Sequence, residues 1–549
     1  MPAFFSACPF GAEIKVLEPE PPAVADSSLS MAVTAEPDSP LTPVFDETYT
    51  EREAVFTVTV NGFADNAKAN YVGLSIAPAD GLSFSGYNTV GHASNGVKTF
   101  TVTVTYDGVQ AFPGGTASIR ITGLSNIPSN CTYSGGTKTV SVSIIDGQEE
   151  SRAIPVNQTN ITAFNAYADT GDGLTRHYKL TENVTLPSVS GKSNWTAIGT
   201  YSTDNLRIFT GSFNGQDNTI SNLTINASTT AAESEGMFGY VGSNGVVKNL
   251  GLEGGSVSGN NWVGGVAGMN VGMIENCYNS GSVSGNNRVG GVVGENFFSG
   301  MVQYCYTTGR VSGANFSGGV AGMNIGTIQN CYASGDVSVS GSGSDSISAG
   351  GVAGGNSNGG AVQNCYASGS VSGDGSGSVS VGGVAGYNND GSTIQNCYAS
   401  GRITVKGSGA NVGGGGIVGY NGYVGGYSGG YRGGYNCGTV KNCVALNPSI
   451  NRSSGTSADF GRVVSNDSNT NNNIFVSGNY GRMSMTLPNG INSSPNLNGV
   501  HGMNVFEPEW TTANWWQNTA KFPSDAWTFR AGLPTLKKMP SGTQNPTAQ

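Results

Sequence analysis

A chain of 549 residues with 86 glycines and only 11% charged residues departs from ordinary globular usage, where glycine is about 7% and charge about 25%. Glycine does not fall at every third position, which excludes collagen, and 37% hydrophobic residues are too many for a solvating disordered chain. A net charge of −10 argues against a nucleic-acid partner, whose phosphates call for clustered Lys and Arg; no apolar run is long enough to form a transmembrane helix.

Residues 1–44 read as a tether. Small residues directly precede Cys8, as at a bacterial lipoprotein cleavage site, but the basic start and most of the apolar stretch of such a signal are missing. Cys8 is therefore either a lipidation site behind a start further upstream or an incidental cysteine in a tail. From Leu17 to Pro43 the chain is rich in Pro and acidic residues, a composition that stays extended and builds no core.

Residues 45–148 change to strict alternation, as in Phe56-Thr57-Val58-Thr59-Val60, Phe100-Thr101-Val102-Thr103-Val104 and Val140-Ser141-Val142-Ser143-Ile144. Period two with β-branched polar residues on the second face predicts half-buried antiparallel strands, and the turn signals between them suggest a small immunoglobulin-like β-sandwich. Its single cysteine, Cys131, leaves no partner for an inter-sheet disulfide. We read this module as a spacer.

Residues 149–235 are expected to form a cap and the first turns of the array that follows, 236–475 the array itself, and 476–549 a C-terminal cap. In the array one phrase returns: Val263-Gly264-Gly265-Val266-Ala267-Gly268-Met269-Asn270, then Ile274-Glu275-Asn276-Cys277-Tyr278. Its cysteine recurs at 277, 305, 331, 365, 397 and 443 with unequal spacing. Fixed phrases joined by loops of adjustable length predict an all-β, right-handed parallel β-helix of about nine or ten rungs stacked about 4.8 Å apart. The glycines are expected to supply positive φ and close approach at corners.

Stacking turns each recurring residue into a column. Asparagines before the cysteine (276, 330, 364, 396, 442, with Tyr304 as the exception) and after the glycine corner (270, 296, 324, 356, 388, 421) read as turn ladders. The cysteines lack the short spacing and companion histidines of a metal site, and Leu250 holds the equivalent earlier position. They are read as an inward stack of thiols or, alternatively, as inter-rung disulfides, with Cys437–Cys443 the leading pair. If cysteine points inward, Tyr278, Tyr306, Tyr332, Tyr366 and Tyr398 point outward. That stripe is either an exposed platform for sugar rings or a protein, or a set of rings that stabilises its own strands by stacking. A Gly-Tyr insert carrying Tyr420, Tyr423, Tyr427, Tyr431 and Tyr435 has the composition of an adaptable binding loop, or is an inert insertion. Trp510, Trp515, Trp516 and Trp527 are expected to cover the open end.

Taken together, Gly236-Met237-Phe238-Gly239, the recurring Gly-Val-Ala-Gly, the lead-in His177-Tyr178-Lys179-Leu180 with Trp195-Thr196-Ala197-Ile198-Gly199, and the tail Trp527-Thr528-Phe529 with Gly532-Leu533-Pro534-Thr535-Leu536 resemble bacterial GLUG-motif proteins. The resemblance covers roughly residues 152 to 540. It implies an exported, surface-associated β-helix, extracellular or on the cell surface, without a defined activity. Some arrays of this family accompany an immunoglobulin A-cleaving metallopeptidase, which would need an H-E-x-x-H helix; His92, His177 and His501 are followed by Ala, Tyr and Gly.

The acids Glu253, Glu275, Glu295, Asp336, Asp345, Asp374 and Asp390 share no repeat position, so no paired-carboxylate site follows from the register. The expectation is a non-catalytic, adhesin-like surface rod without cofactor or metal, binding an extracellular glycan or a surface protein of a host or neighbouring cell. A lipid anchor and self-association are compatible with it. The alternative is a carbohydrate-active β-helix enzyme, a polysaccharide lyase or hydrolase.

Overall fold

The computed structural model describes residues 27–41, 53–88, 93–106, 115–201, 206–227, 234–342, 346–409, 411–422, 437–454, 459–465, 475–489, 491, 494–539, 543–544 and 546–548. The chain divides into two units, Met1–Asp146 and Gly147–Gln549.

In the first unit, alternating Val, Ile and Phe commit one face of each strand to a shared interior. A five-stranded sheet runs in the order Leu82–Ser85, Val97–Tyr106, Glu53–Asn61, Ser27–Ala35, Cys131–Tyr133. A three-stranded sheet joins Gly73–Ile76, Thr116–Ser125 and Lys138–Ser143. Both contribute to one core around Phe56, Val102, Ile119 and Val140. Ser27–Ala35 corrects the tether boundary at residue 44. Leu29 and Met31 are buried because this segment carries its own period-two alternation and pairs with Glu53–Asn61, a signal masked by the flanking prolines and acids.

The second unit is a parallel β-helix. It begins on the strand Ile154–Val156, paired with His177–Leu180, and the short helix Ile161–Ala168, whose Phe164 packs on Tyr178, Trp195 and Phe213. Each later rung is a set of strands too brief to stand alone. One rung reads Ala267–Asn270, Met273–Asn279, Ser282–Ser284 and Asn287–Gly290. Repetition stacks these pieces into parallel sheets of eight, eight and seven strands, while a longer ladder continues to Met503–Val505. Tyr480–Arg482 and Met503–Val505 extend that ladder, so the stack continues past residue 475 into the segment read as cap.

The two asparagine columns do different work. The residue before each cysteine is left-handed: φ is 51° at Asn276, 53° at Tyr304, 54° at Asn330 and 52° at Asn364, Asn396 and Asn442. Asparagine visits this region more readily than other non-glycine residues, and it bends the long ladder once per rung. The corner glycines, expected to supply positive φ, do not: those of the Gly-Gly-Val-Ala-Gly phrases are absent from the left-handed residues. They are there because of crowding, since a Cβ on Gly290 would collide with the Val293 carbonyl oxygen.

The second column is a buried amide ladder. Asn270 Nδ2 donates to Asn296 Oδ1 at 2.9 Å, Asn296 to Asn324 at 2.8 Å, Asn324 to Asn356 at 2.8 Å, Asn356 to Asn388 at 2.8 Å and Asn388 to Asn421 at 2.9 Å. Each amide also caps local carbonyls, as Asn324 does Gly326 O and Ala361 O. At the top, Asn270 Oδ1 lacks a donor, because Val241 fills that register position in the rung above. Val241→Asn should therefore be tolerated to within about 1 kcal/mol, whereas Val247→Asn, elsewhere in the interior, should cost about 3 kcal/mol or more for an unpaired amide and lost apolar burial. Urea melts of both variants test this; equal losses would refute it.

Candidate functional site

The thiol column orients its neighbours. All six repeat cysteines are fully buried, and no disulfide links the described cysteines, Cys437 and Cys443 included, which corrects the stapled alternative. The thiols do more than fill space. The left-handed bend turns the cysteine N–H along the stack, and in three rungs it reaches the next sulfur: Cys277 N to Cys305 Sγ, Cys305 N to Cys331 Sγ and Cys365 N to Cys397 Sγ are each 3.4 Å. Cys305 and Cys331 in turn donate to the carbonyls of Gln303 and Gln329 at 3.1 Å. At the lower end Asn479 replaces sulfur, accepting from Cys443 N at 2.7 Å. Burial pushes the thiols of Cys277, Cys305 and Cys397 well above the ordinary value. We expect these six to stay unmodified by a thiol reagent at neutral pH and to react only after denaturation, as counted by mass spectrometry.

The tyrosine column does face outward from the helix, and it is not an open platform. Tyr278, Tyr306, Tyr332, Tyr366 and Tyr398 stack with centroids 4.8, 4.7, 4.9 and 4.9 Å apart and planes within 9°. Above, Tyr278 lies against Gly251, where a Cβ would strike its ring. The ring edges are then covered by the chain's own C-terminal segment. Trp527 sits 5.6 Å and Trp516 5.5 Å from Tyr398, Tyr398 Oη donates to Pro534 O at 2.8 Å and Tyr332 Oη meets Thr543 Oγ1 at 2.7 Å. Tyr306, Tyr332, Tyr366 and Tyr398 are buried, and burial raises all four phenol pKa values. The tryptophans thus cover a flank of the stack, because the aromatic column supplies apolar area there. Tyr278 remains partly exposed, bonded to Glu253 Oε1 at 2.7 Å.

Of the insert, Tyr420 is half-buried and in register with Tyr387; Tyr423, Tyr427, Tyr431 and Tyr435 lie outside the described residues, as does Cys8.

A different outer corner gathers aromatic and charged side chains. In two consecutive rungs the residue before Val-Gly-Gly is left-handed, Trp262 at φ 49° and Arg288 at φ 53°. Neither is a residue type that favours this region, and such a bend re-aims its side chain. The Arg288 guanidinium lies 5.6 Å from the Trp262 ring. Both reach Glu295 Oε2, Trp262 Nε1 at 2.6 Å and Arg288 Nη1 at 3.3 Å. Tyr201, 38% exposed, meets Trp262 and Tyr240 edge-on at 5.2 and 5.9 Å. Glu295 is only 3% exposed, and burial raises its pKa despite Arg288 and Trp262. The sequence does signal this corner, as a departure from the repeat: Trp262 and Arg288 stand in a column continued by Phe316, Ser348 and Ser380, and Glu295 brings a charge into a column that otherwise holds Tyr240, Met269, Met323, Gly355, Tyr387 and Tyr420.

Of the other array acids, Asp345 lies outside the described residues and the rest are engaged locally. Glu275 accepts from Gln303, Asp336 from Ser370 N, Asp374 from Lys406 and Asp390 from Ser357. Among the described residues no group of three His, Cys, Asp or Glu side chains is placed to hold a metal ion, and no helix is long and apolar enough to cross a membrane.

Residues 345–372 and 377–404 match the GLUG motif family. Over 238 residues, 41% of this chain, the sequence is 31% identical to halomucin of Haloquadratum walsbyi, of whose length it spans 2%. Among solved structures it is similar to an IgA1 protease chain at 14% identity and a TM-score of 0.38, over 94% of this chain and 31% of that one. The two matched segments are consecutive rungs whose thiol, tyrosine and amide columns run on through their neighbours, and these rungs are GLUG repeats.

Proposed function

We propose that the protein is a non-catalytic component of the cell surface or extracellular space that presents its β-helix as a rigid rod and binds a glycan or a surface protein on the rod's outside. The observation that carries this reading is how the array uses its side chains. Inward columns and the covered tyrosine column hold the stack together, and most array carboxylates are held by a neighbouring rung rather than paired for acid–base work. An exported location is supported by the similarity to halomucin and by the resemblance to surface-associated GLUG proteins. Display on a lipid anchor through Cys8 belongs to the same reading.

The alternative, a polysaccharide-degrading β-helix, draws on one observation: Glu295 is a buried carboxyl with a raised pKa beside tryptophan, the environment of a general acid. One experiment separates the two. The purified chain is applied to a glycan array and incubated with the polysaccharides it retains. Binding without turnover supports the rod; released oligosaccharides would overturn it in favour of the enzyme.

A further inference from the structure

We propose that the corner formed by Tyr201, Tyr240, Trp262, Arg288 and Glu295 is a binding site for one neutral pyranose unit of a polysaccharide. The proposal rests on the surface-rod reading and gives it a place and a ligand class.

Three independent observations point to this corner. The first is strain. Trp262 and Arg288 are left-handed at equivalent positions of neighbouring rungs, whereas Phe316, Ser348 and Ser380, which follow in the same column, are not. A left-handed backbone at a bulky residue costs of the order of 1 kcal/mol or more, and in this column it is accepted at the two positions that carry an indole ring and a guanidinium.

The second is unspent hydrogen-bonding capacity. Both bonds to Glu295 end on Oε2, so Oε1 of a 97% buried side chain (3% exposed) has no protein partner among the described residues. Arg288 commits Nη1 to that carboxylate and leaves Nη2 equally unspent. An acceptor and a donor side by side suit two adjacent hydroxyls of a sugar, which each donate and accept. The same pair leaves unpaired polar groups against a ligand that lacks them, which is how such sites discriminate.

The third is the balance of shape and charge. Tyr201, Tyr240 and Trp262 offer rigid amphipathic rings with few rotamers to freeze, suited to the C–H face of a pyranose. The guanidinium is already neutralised by Glu295, and the chain is acidic overall at −10. An anionic sugar would meet no net positive field. A neutral one meets none that opposes it.

The test is calorimetric titration of the full chain with neutral hexasaccharides of glucose, mannose and galactose, and with oligogalacturonate as the anionic counter-probe. At least one neutral probe should bind. Trp262→Ala should weaken it about 30-fold, the loss typical of truncating an aromatic anchor, and Arg288→Lys, which keeps the charge but not the fork, about 10-fold. Tyr387→Ala, on other rungs, should leave binding unchanged. Because Trp262→Ala could perturb its corner, the Arg288→Lys result is read beside the melting temperature of both variants. Preference for oligogalacturonate overturns the neutral class. Binding that neither variant alters overturns the site and leaves the surface-rod reading intact, as does failure of every sugar if the array or a protein ligand still registers.

Discussion

Asn324→Gly is expected to destabilise the stack by about 3 kcal/mol, while Asn330→Gly, the same exchange six residues on, should cost less than about 1 kcal/mol. Asn324 is a central link of the amide ladder, accepting from Asn296 and donating to Asn356. Its removal leaves Asn356 Oδ1 without its donor and takes a donor from Gly326 O and Ala361 O, where Asn324 and Asn356 are both fully buried. Each such unpaired group costs about 1–3 kcal/mol. Asn330 instead occupies φ 54°, which glycine adopts freely. Its own Oδ1 already lacks a partner, so little is lost with the side chain. Urea unfolding of both variants decides the matter; equal losses would mean that the ladder contributes no more than the bend.

Trp527→Ala should cost about 3–5 kcal/mol, the usual loss for emptying a large aromatic from a packed site, and should open the tyrosine column. Trp527 is buried against Tyr366 and Tyr398 and its indole N–H has no partner, so the loss is one of packing, not of a hydrogen bond. Nitration of Tyr366 and Tyr398, blocked in the native chain, should then proceed, as read by peptide mass. Destabilisation without nitration would show that Trp516 and Phe522, which also pack there, hold the segment in place without Trp527.

That cysteine points inward and tyrosine outward is legible, because period two along a strand leaves no other arrangement. That the tyrosine column is covered is not, since Trp527 follows Tyr398 by more than a hundred residues and only folding brings the tail onto that flank. The outer corner behaves the same way. Trp262, Arg288 and Glu295 can be seen to break the repeat, but their convergence depends on two left-handed residues that no propensity favours and on a rung spacing that brings residue 295 beneath residue 262.

By itself the sequence determined the parallel β-helix, its columns and the GLUG character of its rungs, because in a stack of near-identical turns local pattern and global register are one constraint. Only the tertiary structure decided how each column is used. It gave one set of asparagines to bends and the other to a buried ladder, made the thiols acceptors for bent backbone, placed Ser27–Ala35 in a sheet and closed the tyrosines beneath the tail. Those outcomes depend on which surfaces meet across the fold, and contacts between distant segments leave no periodic trace in the chain.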